Sequence, residues 1–271
     1  MTLAQIFRSL PSFKGKMRMG SFFLKKELNS VVPVSFTGKY DITYSVPNTI
    51  DYIGKELFIN GIYEKKTIEL IKKLLDRSSV FFDVGANIGS ISLPVAKLTG
   101  ATIYAFEPSH FVFNFLKENV QQNSISSIVV NEVAVHSTHN RKLNFFATDQ
   151  KYGGSSLLPV YNQDSYEVHS VSLDEYCKER NIHKIDVLKI DVQGHESEVL
   201  KGCQSLLKEK KIRAIIFEME SWAEKMAGYA EGASQQLLME NGYDIFTLKN
   251  ERLENVLTEG SHMFFAKPKI G

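Results

Sequence analysis

Only two cysteines, Cys177 and Cys203, occur in 271 residues. Two thiols make neither a disulfide framework nor a cysteine zinc cluster, so a reducing cytoplasm is the default expectation. No apolar run reaches the roughly 18 residues that a membrane-spanning helix needs. The start lacks the long apolar segment of a signal peptide. An excess of one charge sign is missing too: 32 Lys and Arg face 31 Asp and Glu, so the overall balance argues for no particular partner. The histidines show no metal-ligand spacing and no metal site is expected. No internal repeat is present. What remains is enough chain for one large domain, or one domain with an extension, around a sizeable core.

Charge is uneven locally. Up to Lys39 there are seven basic residues (Arg8, Lys14, Lys16, Arg18, Lys25, Lys26, Lys39) and one acid, Glu27. Apolar groups such as Phe7, Phe13, Phe22 and Phe23 lie among them, consistent with one or two short helices. Residues 1–57 are therefore expected to form a basic extension or cap, with a short strand within Tyr40–Val46. A basic amphipathic segment is attracted to anionic surfaces, which gives a peripheral membrane contact as one expectation for this end.

The stretch that organises the chain is Val80–Gly89, VFFDVGANIG. It reads as strand, tight turn, then helix, with glycines that admit turn dihedrals and close approach of a ligand. The spacing is G-x-x-x-G rather than the G-x-G-x-x-G of a dinucleotide site, and Asp83 precedes it. A carboxylate there repels a pyrophosphate and attracts an amine. A second strand, Ala101–Phe106, ends in Glu107, placed to accept the two hydroxyls of a ribose. An adenosine carrying an amino-acid tail, held between Asp83 and Glu107, is S-adenosylmethionine. An NAD-binding oxidoreductase is disfavoured by the same turn.

The rest alternates. Helices are expected at Glu64–Leu75, Ile88–Leu98 (with Pro94 kinking it, or a restart at Ser92), from Pro108, at His195–Glu209 and at Ala223–Met239. Strands are expected at Ile125–Asn131, Ile185–Ile190, Ile212–Phe217, Tyr243–Leu248 and His262–Ala266. Such alternation predicts an α/β fold, a mostly parallel sheet with helices on both faces and ligands at the C-terminal strand ends. Asp83, Glu107, Asn131, Asp191 and Glu218 all fall at such ends. Residues 136–170 interrupt the pattern and are expected to form an insertion covering an acceptor pocket.

Taken in order, several motifs resemble the FkbM family of S-adenosylmethionine-dependent methyltransferases. They are Gly61-x-Tyr63-Glu64, Asp83-Val84-Gly85-Ala86-Asn87-Ile88-Gly89, Phe106-Glu107-Pro108, Asn131 with Ala134, Ser172-Leu173-Asp174, Leu188 to Glu196, and Ile215 to Glu218. The resemblance covers about residues 58–247. It implies the class I, Rossmann-like three-layer sandwich: a seven-stranded, mostly parallel sheet with an antiparallel last strand, occupying residues 58–271. The implied activity is O-methylation of a hydroxyl on a small molecule, saccharide or lipid-linked metabolite. By the same resemblance Asp83, Gly85, Asn87 and Gly89 hold the methionine end, Glu107 holds the ribose, and Glu132 to Ala134 lie near the adenine. Gln193 departs from the family, which usually has Glu there.

Asp191 ends the fourth strand, beside the expected sulfonium, as a group orienting donor or acceptor. His195 opens the next helix, where a neutral imidazole is favoured, and is a candidate general base or a structural histidine. Ligation of Mg²⁺ by Asp191 with Glu218 is a further alternative. Competing functions are an RNA methyltransferase, favoured by the basic N-terminus, and a non-catalytic S-adenosylmethionine-binding module. Against a base methyltransferase, Asp191 is followed by Val-Gln-Gly rather than a Pro-Pro-aromatic sequence. Self-association into a homo-oligomer is left open.

Overall fold

The computed structural model describes residues 1–159 and 165–269. Seven strands form the central sheet: β1 (Val80–Val84), β2 (Thr102–Phe106), β3 (Ile128–Asn131), β4 (Val187–Ile190), β5 (Ile215–Glu220), β6 (Tyr243–Thr247) and β7 (Ser261–Pro268). Their order is β6-β7-β5-β4-β1-β2-β3. β1 to β5 pair in parallel, while β7 runs antiparallel to both β5 and β6. The mostly parallel seven-stranded sheet with its antiparallel last strand is thus present as expected.

Both faces of the sheet are covered, which explains the near-continuous apolar runs of the central strands. In β1, Phe81 points into one core with Ile103, Val187 and Ile216. Helices Lys65–Leu74, Ser92–Thr99 and His110–Gln122 cover that side. Phe82 and Val84 point into the other core with Phe106, Leu188, Ile190 and Phe217, covered by Leu173–Glu179, Glu196–Lys201 and Ala233–Glu240. Register sets which polar groups meet: Asp83 lies directly opposite Lys189 on the neighbouring strand.

Several helices differ from their sequence-predicted spans. The helix after the first turn begins at Ser92, not Ile88, with Ile91 as its cap and no side-chain cap bond. Pro94 then sits in the first turn, where a missing N–H costs nothing. The single helix expected over 195–209 is two, Glu196–Lys201 and Gln204–Lys208. Gly202 separates them, and a side chain there would strike the His136 carbonyl. The helix expected over 223–239 also divides, into Ser221–Met226 and Ala233–Glu240, around Gly228 and Gly232 at φ 81° and 80°.

The segment before the sheet holds two short helices, Leu3–Ser9 and Lys16–Phe23, a two-stranded ribbon (Val34–Thr37 with Thr43–Val46) and helix Tyr52–Asn60. Within the insertion, Lys142–Phe146 pairs antiparallel with Ser165–Val171. Residues 160–164 of the expected insertion lie outside the described residues. These two regions join: Asn48 Nδ2 donates to Asp149 O at 2.8 Å, and Gly153 N donates to Asp51 Oδ2 at 3.1 Å.

Candidate active site

A cavity of about 480 Å³ opens at the C-terminal ends of β1 to β5. Its size suits a small-molecule ligand. Gly85 and Asn87 after β1, Glu107 after β2, Ala134 beyond β3, Asp191 and His195 after β4, and Glu218 in β5 line it. Ile50 to Ile53, Tyr63 and Glu64 close one side, and Phe145, Lys151 to Ser155 and Leu157 of the insertion close another. Parts of residues 145–157 and all of 50–53 therefore supply its wall.

The β1 turn is built for close backbone approach. Gly85 stands at φ 78°, Asn87 at φ 52° and Gly89 at φ 86°. A β-carbon on Gly85 would collide with the Asp191 carbonyl oxygen, so glycine is required there. Gly89 plays a packing part beneath the turn, against Leu93 and Leu116. Asn87 Oδ1 accepts from Ile88 N at 2.9 Å and thus closes the turn rather than capping the helix.

Glu107 is fully buried beside the turn. Its two oxygens accept from Asn87 N at 3.0 Å and Ser109 N at 2.9 Å. Burial pushes its carboxyl up to about 7 against the pull of those two N–H groups. Each oxygen keeps a lone pair for a hydroxyl donor.

Three expected ligand contacts are corrected by the geometry, Gly89 beneath the turn being the first. Asp83 does not line the cavity. Its carboxylate is wholly buried behind the wall, accepting from Ser92 Oγ at 2.6 Å and lying 3.5 Å from Lys189 Nζ. Glu132 is likewise not on the wall, because its carboxylate turns to His110 Nδ1 at 2.6 Å. Its neighbours Val133, Ala134 and Val135 supply that part of the lining, an apolar one.

The β4 end carries the densest chemistry. Lys189 Nζ is 3.3 Å from Asp191 Oδ2. Burial opposes its charge, but Asp191, Asp83 and Glu64 outweigh that and hold the ammonium above the usual lysine range. Burial also opposes ionisation of Asp191. Lys189 and hydrogen bonds from Glu218 and Gln193 reverse this and keep its carboxyl below the usual range. Glu218 is driven far upward, by burial and then by the Asp191 charge, so the pair shares one proton that rests on Glu218. Gln193 bridges the pair: its Nε2 donates to Asp191 Oδ1 at 3.1 Å and to Glu218 Oε2 at 3.0 Å. An amide that donates to both oxygens accounts for Gln at a position where a third carboxylate would repel the other two.

His195 lines the same cavity. Burial lowers its imidazole to about 4, with His136 adding to the effect, so the ring is neutral near pH 7. The cause is burial rather than the helix start. Nδ1 is buried without a hydrogen-bond partner, and the His136 ring lies 6.2 Å away, centroid to centroid. Glu196, read from sequence as a helix-start acid, is instead buried and holds the loop: it accepts from Val192 N at 3.1 Å and Gly194 N at 3.0 Å.

Sequence reasoning missed Glu64 as a site residue. It has a left-handed backbone at φ 43°, lines the cavity, and buries Oε2 without a hydrogen-bond partner. Burial, and next the Asp191 charge, raises its carboxyl. Such strain in a non-glycine residue marks a position held for a reason beyond local stability, but only coordinates reveal it. Among the described residues no group of three or more His, Cys, Asp or Glu is placed to hold a metal ion.

Known proteins place this arrangement. Residues 83–245 match the family model for the methyltransferase FkbM domain. The chain is 28% identical over 158 residues to the hexuronic acid methyltransferase AglP of Haloferax volcanii, covering 58% of this chain and 63% of that protein. It is 26% identical over 156 residues to the 2-O-methyltransferase NoeI of Sinorhizobium fredii, covering 51% and 63%. With the 31-O-demethyl-FK506 methyltransferase FkbM of Streptomyces tacrolimicus it shares 26% over 184 residues, covering 56% and 68%. The chain thus spans about two thirds or less of AglP and NoeI. With the matched span covering more than half its length and carrying the β1 turn, Glu107 and the Asp191 loop, the chain belongs to the FkbM family of S-adenosylmethionine-dependent methyltransferases.

Proposed function

We propose that this enzyme methylates a hydroxyl oxygen of a saccharide or other hydroxyl-rich small molecule. One observation carries the reading: Asp191, Glu218 and His195 line one cavity with Glu107, where burial and neighbouring charge favour an ionised Asp191, a protonated Glu218 and a neutral His195. An ionised carboxylate and a neutral imidazole can each take a hydroxyl proton. The names of the relatives, a hexuronic acid methyltransferase and two O-methyltransferases, point the same way.

The cavity suits a cationic donor. Glu64, Glu107 and Asp191 line it, and Glu64 Oε2 is buried with no hydrogen bond to satisfy it. When bound, S-adenosylmethionine supplies a methyl carbon activated by a positive sulfur. The Gly85–Asn87 turn and the carboxylates of Asp191 and Glu64 would hold its amino-acid end. Asp83 would support them from behind, through Lys189, and Gly89 from beneath. Glu107 would accept the ribose hydroxyls, and Val133 to Val135 would face the adenine. Asp191 would orient the acceptor hydroxyl and His195 would receive its proton.

The test is methyl transfer from labelled donor to a panel of free and glycosidic sugars, uronic acids among them, with RNA as the comparison acceptor. Alkali-stable label on a sugar hydroxyl is expected. Donor binding with transfer to RNA alone would overturn the reading.

A further inference from the structure

The N-terminal segment presents a surface that the methyl-transfer chemistry does not use. Lys14, Arg18, Lys25 and Lys26 are exposed. The buried basic residues there are already engaged: Arg8 Nη1 donates to Phe58 O at 3.0 Å and Lys16 Nζ to Leu10 O at 2.9 Å. On helix Lys16–Phe23, Arg18 and Phe22 share a face four residues apart, as do Met19 and Phe23. Phe22 is 76% and Phe23 55% exposed, side by side, with Lys25 and Lys26 just past the helix end. Adjacent exposed aromatics beside lysines are the composition of an interfacial anchor.

The placement of this surface is fixed at both ends. Asn60 Nδ2 donates to Met17 Sδ at 3.2 Å. At the other end Thr49 Oγ1 donates to Glu27 O at 2.8 Å and Thr49 N to Ser30 O at 3.1 Å. Helix Lys16–Phe23 thus packs on Tyr52–Asn60, where a side chain on Gly20 would strike Ile59, and the Glu27–Ser30 segment that follows it is tied to Thr49. Ile50 and Tyr52, both exposed, line the cavity, and the exposed Val31 and Val32 follow Ser30. Exposed apolar groups thus lie along the chain from Phe22 and Phe23 to the cavity wall.

We infer that this face docks on a bilayer that contains anionic lipid. Phe22, Phe23, Val31 and Val32 enter the boundary between headgroups and acyl chains, and Lys14, Arg18, Lys25 and Lys26 meet the lipid phosphates. A bilayer is favoured over a nucleic acid because the aromatics are flanked by further aliphatic groups, which a phosphate backbone does not bury. Docking stands independently of the proposed acceptor. That the acceptor is amphiphilic and reaches the cavity from the membrane surface is a consequence resting on the O-methylation reading.

The test is co-sedimentation of the full chain with vesicles of phosphatidylcholine, alone or mixed with phosphatidylglycerol, and with single-stranded RNA in parallel. Binding to the mixed vesicles only, weakened by salt, is expected. K25E/K26E should weaken it by about 30-fold or more, and F22S by about tenfold. Both variants should bind S-adenosylhomocysteine as the wild type does. No binding to mixed vesicles, equal binding by K25E/K26E, or retention on RNA alone would overturn docking. Loss of S-adenosylhomocysteine binding by the wild type would instead strike the methyltransferase reading and leave the vesicle result standing.

Discussion

Lys189 faces Asp83 across two adjacent parallel strands, Nζ to Oδ1 3.5 Å, with neither side chain reaching solvent. The same ammonium is 3.3 Å from Asp191, so one buried cation serves a carboxylate behind the cavity wall and one on it. This makes Lys189 the group that keeps Asp191 ionised.

Lys189→Met should destabilise the protein by about 3–5 kcal/mol, because it strands buried carboxylates. Urea denaturation would measure it. In the wild type the lowered Asp191 carboxyl adds stability above about pH 4, lost as pH falls through its folded value. In the variant Asp191, deprived of Lys189, should resist ionisation. The variant's stability should then fall as pH rises from about 4 to 7, the opposite slope.

Glu107 has a folded carboxyl value of about 7, above its ordinary 4.5. An ionised carboxylate is the stronger acceptor for hydroxyl donors. S-adenosylhomocysteine affinity should therefore rise with pH through about 7, by calorimetry. Glu107→Gln should flatten that profile and weaken binding by about tenfold to a hundredfold, roughly 1.5–3 kcal/mol. Without ligand the raised value works against folding: stability should drop as pH climbs from about 4.5 to 7, and the variant should lose that drop.

Gln193→Glu replaces an amide donating to two carboxyl groups with a third carboxyl. Loss of both hydrogen bonds should cost about 1–3 kcal/mol. Turnover should fall, because the shared proton is redistributed among three groups. Gln193→Ala, which removes the donors without adding charge, should destabilise less. Thermal melts and rates of the two variants, measured together, separate the contributions.

His195→Ala should reduce turnover by about 10²–10⁴ while leaving S-adenosylhomocysteine affinity within a few-fold. With its imidazole at about 4, wild-type activity should show no loss from His195 protonation between about pH 6 and 9. An alanine variant with full turnover across that range would remove His195 as the base.

Strand ends were readable because short apolar runs stop at acids: Glu107 and Asp191 lie at the cavity as the pattern implied. Asp83 was harder. An acid before a glycine turn reads as a ligand, but its partner Lys189 is 106 positions away in the chain and is revealed only by register. Glu132 failed for the same reason, its partner being His110 one helix earlier. Glu64 falls in the Gly61-x-Tyr63-Glu64 motif, but nothing in that spacing shows its left-handed backbone or its place on the cavity wall. The broken helices were written in Gly202, Gly228 and Gly232, but hydrophobic period outweighed single glycines in the reading.

The collision that forbids a side chain on Gly85 has a mechanical meaning. The first turn rests directly on the Asp191 peptide, with no intervening layer to absorb movement. Turn and loop are thus packed backbone to backbone, and their separation is set at folding.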